Sequence, residues 1–177
     1  FCCTGILIVP FVRLYTIGIT DADYIQPVFA VILLTAEAVN CLILPCASLP
    51  IAANHIRQTK WGAYGEAAIN ILLSCLLIQW DPLMGVALGT LIATLFRGVF
   101  YMIYTSRHIL RVPAYRSILV LLGALLLLEA GIVGGDHLIA HVEIGNYLQW
   151  ILWGAVTFAA VSVPIGAAAY FGMKRRS

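Results

Sequence analysis

In a chain that is otherwise strongly apolar, Glu37, Asn40, Glu66, Asn70, Arg97 and Tyr101 are the side chains able to bind or ionise where hydrocarbon is expected. Arg97 lies near the middle of an apolar run, with Thr90, Thr94 and Tyr101 roughly on its face at helical spacing. A guanidinium at that depth wants protein or water rather than lipid, and its charge suits an anion in a central cavity. The same residue serves equally as a structural arginine held by a carboxylate or by the carbonyls of a broken helix. Glu37 and Asn40 precede Pro45. Glu37 is suited to pair with Arg97, contact a substrate or bind a coupling ion, and Asn40 sits near backbone that the proline loosens. Glu66, Asn70 and Ser74 recur at every fourth residue. Such a stripe faces other helices or water and fits interhelical hydrogen bonding as well as ligand binding.

The elements that must hold these residues are membrane spans. Hydrophobic residues make up 62% of the sequence and charged residues 10%, with a mean hydropathy of +0.99. A soluble domain carries about a quarter charged residues, so that class is excluded. The pattern predicts an all-α polytopic membrane protein: five full transmembrane helices at 25–53, 63–80, 83–105, 118–135 and 147–172, plus the end of a sixth at 1–13. That first run is shorter than the roughly 20 residues a span needs, so it is expected to end a helix that begins upstream. It lacks the basic start and small-residue cleavage pattern of a signal peptide. Pro45 and Pro50 interrupt the long second run and are expected bend points. Asp81-Pro82 marks a turn, and Gly85 and Gly89 allow close helix packing. The five cysteines lie in apolar runs without CxxC spacing and read as packing residues.

Every Lys and Arg except Arg13 and Arg97 falls in alternate links or the tail: Arg57 and Lys60, then Arg107, Arg111 and Arg116, then Lys174, Arg175 and Arg176. Asp21, Asp23, Asp81, Asp136 and Glu143 occupy the other links. Basic short loops stay cytoplasmic, so these links and the C-terminus are expected on the cytoplasmic side of the cell membrane. Trp61, Trp80, Tyr147, Trp150 and Tyr170 fall near span ends, where interfacial aromatics collect. His137 and His141 stand four apart beside Asp136 and Glu143, a metal-like spacing that reads better as solvated polarity in a short external link. Glu129 is close enough to the outer end of its span to reach the interface. No P-loop, HExxH, GxSxG or cluster of acids and histidines occurs, so no catalytic residue, metal or cofactor is assigned. The basic links are too short to imply nucleic acid.

AANHIRQTKWGAYGEAAINILLS, followed by GVALGTLIATLFR, Tyr101, Tyr104 and RHILR, resembles the polysaccharide or O-antigen flippases (Wzx-like, the polysaccharide transporter branch) of the multidrug/oligosaccharidyl-lipid/polysaccharide (MATE-like) exporter superfamily. Upstream, PFVRLYTIGITDADY is similar to the family's stretch closing one helix and opening the next, so the resemblance covers about 9–111. Asn54 departs from it, since glycine is expected before the basic link. The resemblance implies that 1–111 holds helices of the second lobe of a two-lobe transporter, and that 112–177 adds two C-terminal helices and a basic tail. The implied function is alternating-access export of an undecaprenyl-pyrophosphate-linked oligosaccharide to the outer face of the cytoplasmic (inner) membrane, during surface polysaccharide (lipopolysaccharide) synthesis. Lipid-linked oligosaccharide, membrane lipid, and polymerase and glycosyltransferase machinery are the implied partners. Arg97 is then the candidate phosphate contact. A MATE-like cation-coupled antiporter of drugs or metabolites is the alternative, and favours Glu37. A membrane enzyme would need a catalytic cluster that is not apparent.

Overall fold

The structure is a computed structural model describing residues 1–19, 24–111, 113–139 and 145–174, with side chains throughout these except at 136, 138, 139 and 164–174. Asp21, Asp23, His141, Glu143, Arg175 and Arg176 thus lie outside the described residues, as do the side chains of Asp136, Tyr170 and Lys174. The chain forms α1 (Cys2–Tyr15), α2 (Pro27–Ala52), α3 (Ile56–Leu77), α4 (Pro82–Thr105), α5 (Ala114–Ile139) and α6 (Tyr147–Lys174), and no strand occurs among the described residues. Three helical stretches are long and apolar enough to cross a membrane: Pro27–Ala52, Pro82–Leu110 and Ala114–Gly135. Leu126 and Leu127 are 71% and 76% exposed; a helix this apolar on its outer face belongs against lipid.

Two expected links turn out to be largely helical. α3 begins at Ile56, so Arg57, Lys60 and Trp61 lie on its first turns rather than in a loop. The reason is local. Asn54 takes φ 57, and His55 N–H reaches back to the Pro50 carbonyl (2.8 Å) while Asn54 N–H reaches Ile51 (3.1 Å). That pair of bonds closes α2 in one left-handed step, so α3 can start at once. The left-handed position is what glycine would favour, and asparagine is the residue that best tolerates it otherwise. α4 likewise continues through a π-helical turn, Ser106–Leu110, closed by Arg111 at φ 52. α5 starts at Ala114, ahead of the expected 118, and runs past 135 to Ile139, taking in His137, which was expected in a link. The early polar turns of α3, with Arg57, Lys60 and Glu66, are why it falls short of a purely apolar span.

The chain divides into two compact units, Val28–Leu127 and Phe1–Pro27 with Leu128–Ser177. In the first, α3 and α4 form an antiparallel hairpin turned at Asp81. The Asp81 carboxylate caps α4 by accepting from Leu83 N (3.0 Å) and Met84 N (3.1 Å), with Pro82 at the first helical position. The hairpin packs through small residues at both ends. A Cβ on Gly85 would meet the backbone at Leu77 and Ile78 at 2.7–2.9 Å, and one on Gly89 would meet Ser74 Oγ at 2.5 Å. Nearer the open end, Gly62 faces the Phe100 ring and Gly65 the Phe96 ring. α2 joins this hairpin where Ile43 packs on Gly98, and Val39, Ile43, Met102 and Leu121 make the apolar core.

Pro50 has no N–H for the Cys46 carbonyl. Thr105 Oγ, fully buried, donates to that carbonyl from α4 at 2.8 Å, which satisfies a group that hydrocarbon would leave unpaired. The second unit holds a related contact. Pro10 interrupts the bonding of α1, and Trp150 Nε1 donates to the nearby Leu7 carbonyl at 3.0 Å. Trp150 is therefore a packing residue, whereas Trp61 and Trp80 are exposed at helix ends as interfacial aromatics are. In that unit α6 runs antiparallel to α1, with Tyr147 Oη near the Leu14 carbonyl and Gly154 against Leu7. Cys2 and Ile6 of α1 lie against Gly131 and Gly135.

Replacing Thr105 by Val is expected to lower stability by about 1–3 kcal/mol, the usual cost of an orphaned buried acceptor. In a Pro50→Ala background, where the backbone N–H gained at position 50 serves the same carbonyl, the loss should shrink to well under half. Thermal unfolding of the four purified proteins in detergent measures this, and equal losses in both backgrounds would show that Thr105 does not answer Pro50.

Candidate functional site

Arg97 is where α2, α3 and α4 meet. Its Nη1 lies 3.0 Å from Glu66 Oε2 on α3, and its Nη2 donates to Asn40 Oδ1 on α2. The side chains of Arg97 and Glu66 remain 26% and 21% exposed. A guanidinium has five N–H donors, so two are used. Nε is buried and has no partner. The site is thus a net-neutral pair with unused donors pointing from a fixed arginine, able to hold an oxygen-bearing ligand by directional hydrogen bonds.

The structure brings together only part of the predicted set. Glu66, Asn40 and Arg97 meet. Asn70 instead accepts from Ser74 Oγ at 3.2 Å on its own helix, beside the Gly89 contact. Tyr101 packs on the Val39–Met102 core, and Thr90 Oγ donates to the Val86 carbonyl at 2.9 Å. Glu37 is exposed on α2 and makes no hydrogen bond or ion pair among the described residues; it does not pair with Arg97, since Glu66 takes that place. The signal for Glu66 was present in the sequence. Glu66 and Arg97 are nearly equidistant from Asp81, and an antiparallel hairpin about that turn sets them opposite each other.

A second cluster was not foreseen. At the open end of the hairpin, Tyr104 Oη lies 3.0 Å from His55 Nδ1. His108, on the π-turn, stacks on the Tyr104 ring with centroids 4.6 Å apart. With Thr105 on Cys46 and Gly62 on Phe100, these contacts place the end of α2, the start of α3 and the end of α4 together. Arg57, Lys60, Arg107 and Arg111 therefore gather at one end of this unit, and Asp81 lies at the other. Glu129 is half-buried and His137 exposed in the other unit. Among the described residues no three His, Cys, Asp or Glu side chains gather as metal ligands would, and none of the five cysteines forms a disulfide.

Arg97→Met and Glu66→Met are each expected to cost about 1–3 kcal/mol by stranding a charged partner. The double substitution should recover most of that, because an apolar pair of similar volume replaces an ion pair at little cost. Unfolding midpoints of the single and double variants in detergent test this; strictly additive losses would show the two groups to be uncoupled.

Comparison of the chain with protein-family models, with curated proteins and with solved structures returned no match.

Proposed function

We propose that this chain is part of a transporter that exports an undecaprenyl-pyrophosphate-linked oligosaccharide across the cytoplasmic membrane by alternating access. The observation carrying the reading is the Arg97–Glu66–Asn40 node, a charged and amide-bearing site shared by three helices inside an apolar bundle. Intramembrane ionisable groups are expensive and mark substrate or ion paths. The free guanidinium donors suit pyrophosphate oxygens, and the carboxylate and amide suit sugar hydroxyls. Support from outside the site is the resemblance over 9–111 and the length and apolarity of α2, α4 and α5. A cation-coupled drug or metabolite antiporter is the second reading, favoured by Glu37, an exposed carboxylate without a partner among the described residues, well inside α2.

In the native host, deleting the gene is expected to abolish surface glycan and to accumulate lipid-linked oligosaccharide on the inner leaflet. Normal glycan with altered drug or metabolite tolerance favours the antiporter. For the site, Arg97→Gln should cripple export and Arg97→Lys keep part of it. Arg97→Gln with Glu66→Gln separates transport from folding, since the double variant restores neutrality and hydrogen bonding. Export that stays lost while the protein remains in the membrane supports the substrate role; recovered export makes the pair structural.

The orientation rests on the basic end of the α2–α4 unit facing the cytoplasm. Cysteine at Asp81 should react with an impermeant thiol reagent added to intact cells, in a background lacking the native cysteines, and cysteine at Arg111 should not. The reverse labelling overturns the topology.

A further inference from the structure

Near the basic end of the same unit lies a groove of about 280 Å³. Leu42 and Cys46 of α2, Met102 of α4, and Val120 and Leu121 of α5 form its apolar walls, and Arg116 stands in its rim. Arg116 is exposed and makes no side-chain hydrogen bond or ion pair among the described residues. It sits on the first turn of α5, whose amides lack intrahelical acceptors and add positive potential; Ser117 beside it offers a hydroxyl. From Arg116 to Leu121 the groove follows α5 for about 7 Å at 1.5 Å per residue. It therefore begins at a cationic helix end and continues into surface facing hydrocarbon. The volume is just below that of sites for drug-sized ligands, so it takes a stretch of one chain rather than a compact solute.

A ligand matching both features is an amphipath with an anionic head. We propose that this groove binds one anionic phospholipid, its phosphate at Arg116 and part of one acyl chain against Leu42, Met102 and Val120. Charge complementarity commits the occupant: a free cation at the membrane surface beside Arg107 and Arg111 selects anionic over zwitterionic headgroups. The site stands apart from the Arg97 node and holds whether or not the protein carries a lipid-linked sugar.

The test is native mass spectrometry of the intact protein in neutral detergent, titrated with phosphatidylglycerol or with phosphatidylcholine. One phosphatidylglycerol should bind with about fivefold preference over phosphatidylcholine, the worth of one surface cation. Arg116→Gln should erase the preference and Arg116→Lys retain most of it. Val120→Trp, at a site that is 70% exposed and tolerant of a larger side chain, should block binding by filling the groove. Millimolar inorganic phosphate should not displace the lipid. Equal binding of both lipids, or binding unchanged in Arg116→Gln or Val120→Trp, overturns the proposal. Displacement by phosphate makes Arg116 a simple anion contact and also overturns it, as does a protein dimer that Val120→Trp dissociates.

Discussion

A guanidinium halfway along an apolar helix must be bonded, and the α2–α4 unit is arranged around that requirement. Placing an arginine at the centre of a span costs about 2.5–3.5 kcal/mol even on the lenient insertion scale. Glu66 alone at comparable depth is also unfavourable, and so is the Asn40 amide. Together each offsets the others, provided the helices approach closely. That closeness comes from the neighbouring residues. Gly65, next to Glu66, admits the Phe96 ring, and Gly98, next to Arg97, admits Ile43. A Cβ at either glycine would force the Phe96 or Ile43 side chain to give way. The small residues and the charged ones are thus one device, and the pair is held by packing as much as by attraction.

The backbone obeys the same constraint. A proline in a span leaves a carbonyl without its donor, and in hydrocarbon no water replaces it. At Pro50 the buried Thr105 hydroxyl fills the gap. This distinguishes the two expected bend points. Motion about Pro50 would break the Thr105 bond and reopen the Cys46 carbonyl, whereas no side chain among the described residues donates to the Cys41 carbonyl that Pro45 releases. Pro45 is therefore the freer bend in α2, and the carbonyl it releases directly follows Asn40 in the chain. Any flexing there acts on the segment next to the Arg97 node rather than on the basic end, which the His55–Tyr104 contact and the left-handed closure at Asn54 hold.

The parts of this arrangement legible in sequence were those set by local pattern. Long apolar runs located α2, α4 and α5, Asp81-Pro82 located the hairpin turn, and Gly85 and Gly89 signalled close packing. Basic stretches misled, because Arg57, Lys60 and Trp61 look like a loop until Asn54 is seen to close α2 in one step and release α3 immediately. Pairings were harder. Glu37 was the carboxylate expected at Arg97, and Glu66 holds that place because of hairpin register, a property of the turn rather than of either residue. The Tyr104–His55–His108 stack needed both the early start of α3 and the π-turn after α4, neither of which leaves a compositional trace.

The charge balance at the node constrains what kind of recognition it can perform. Arg97 and Glu66 cancel, so the pair exerts little net pull on an anion approaching from a distance. α3 and α4 interlock through glycines at both ends of their contact, which keeps the backbones carrying Glu66 and Arg97 close together. Beyond its bonds to Glu66 and Asn40, Arg97 keeps unused donors, of which Nε is buried and without a partner. In a pair so balanced, the direction of the hydrogen bonds sets the geometry more than net charge does. Glu37, one helical turn from Asn40 on α2, is exposed and has no ion-pair partner among the described residues.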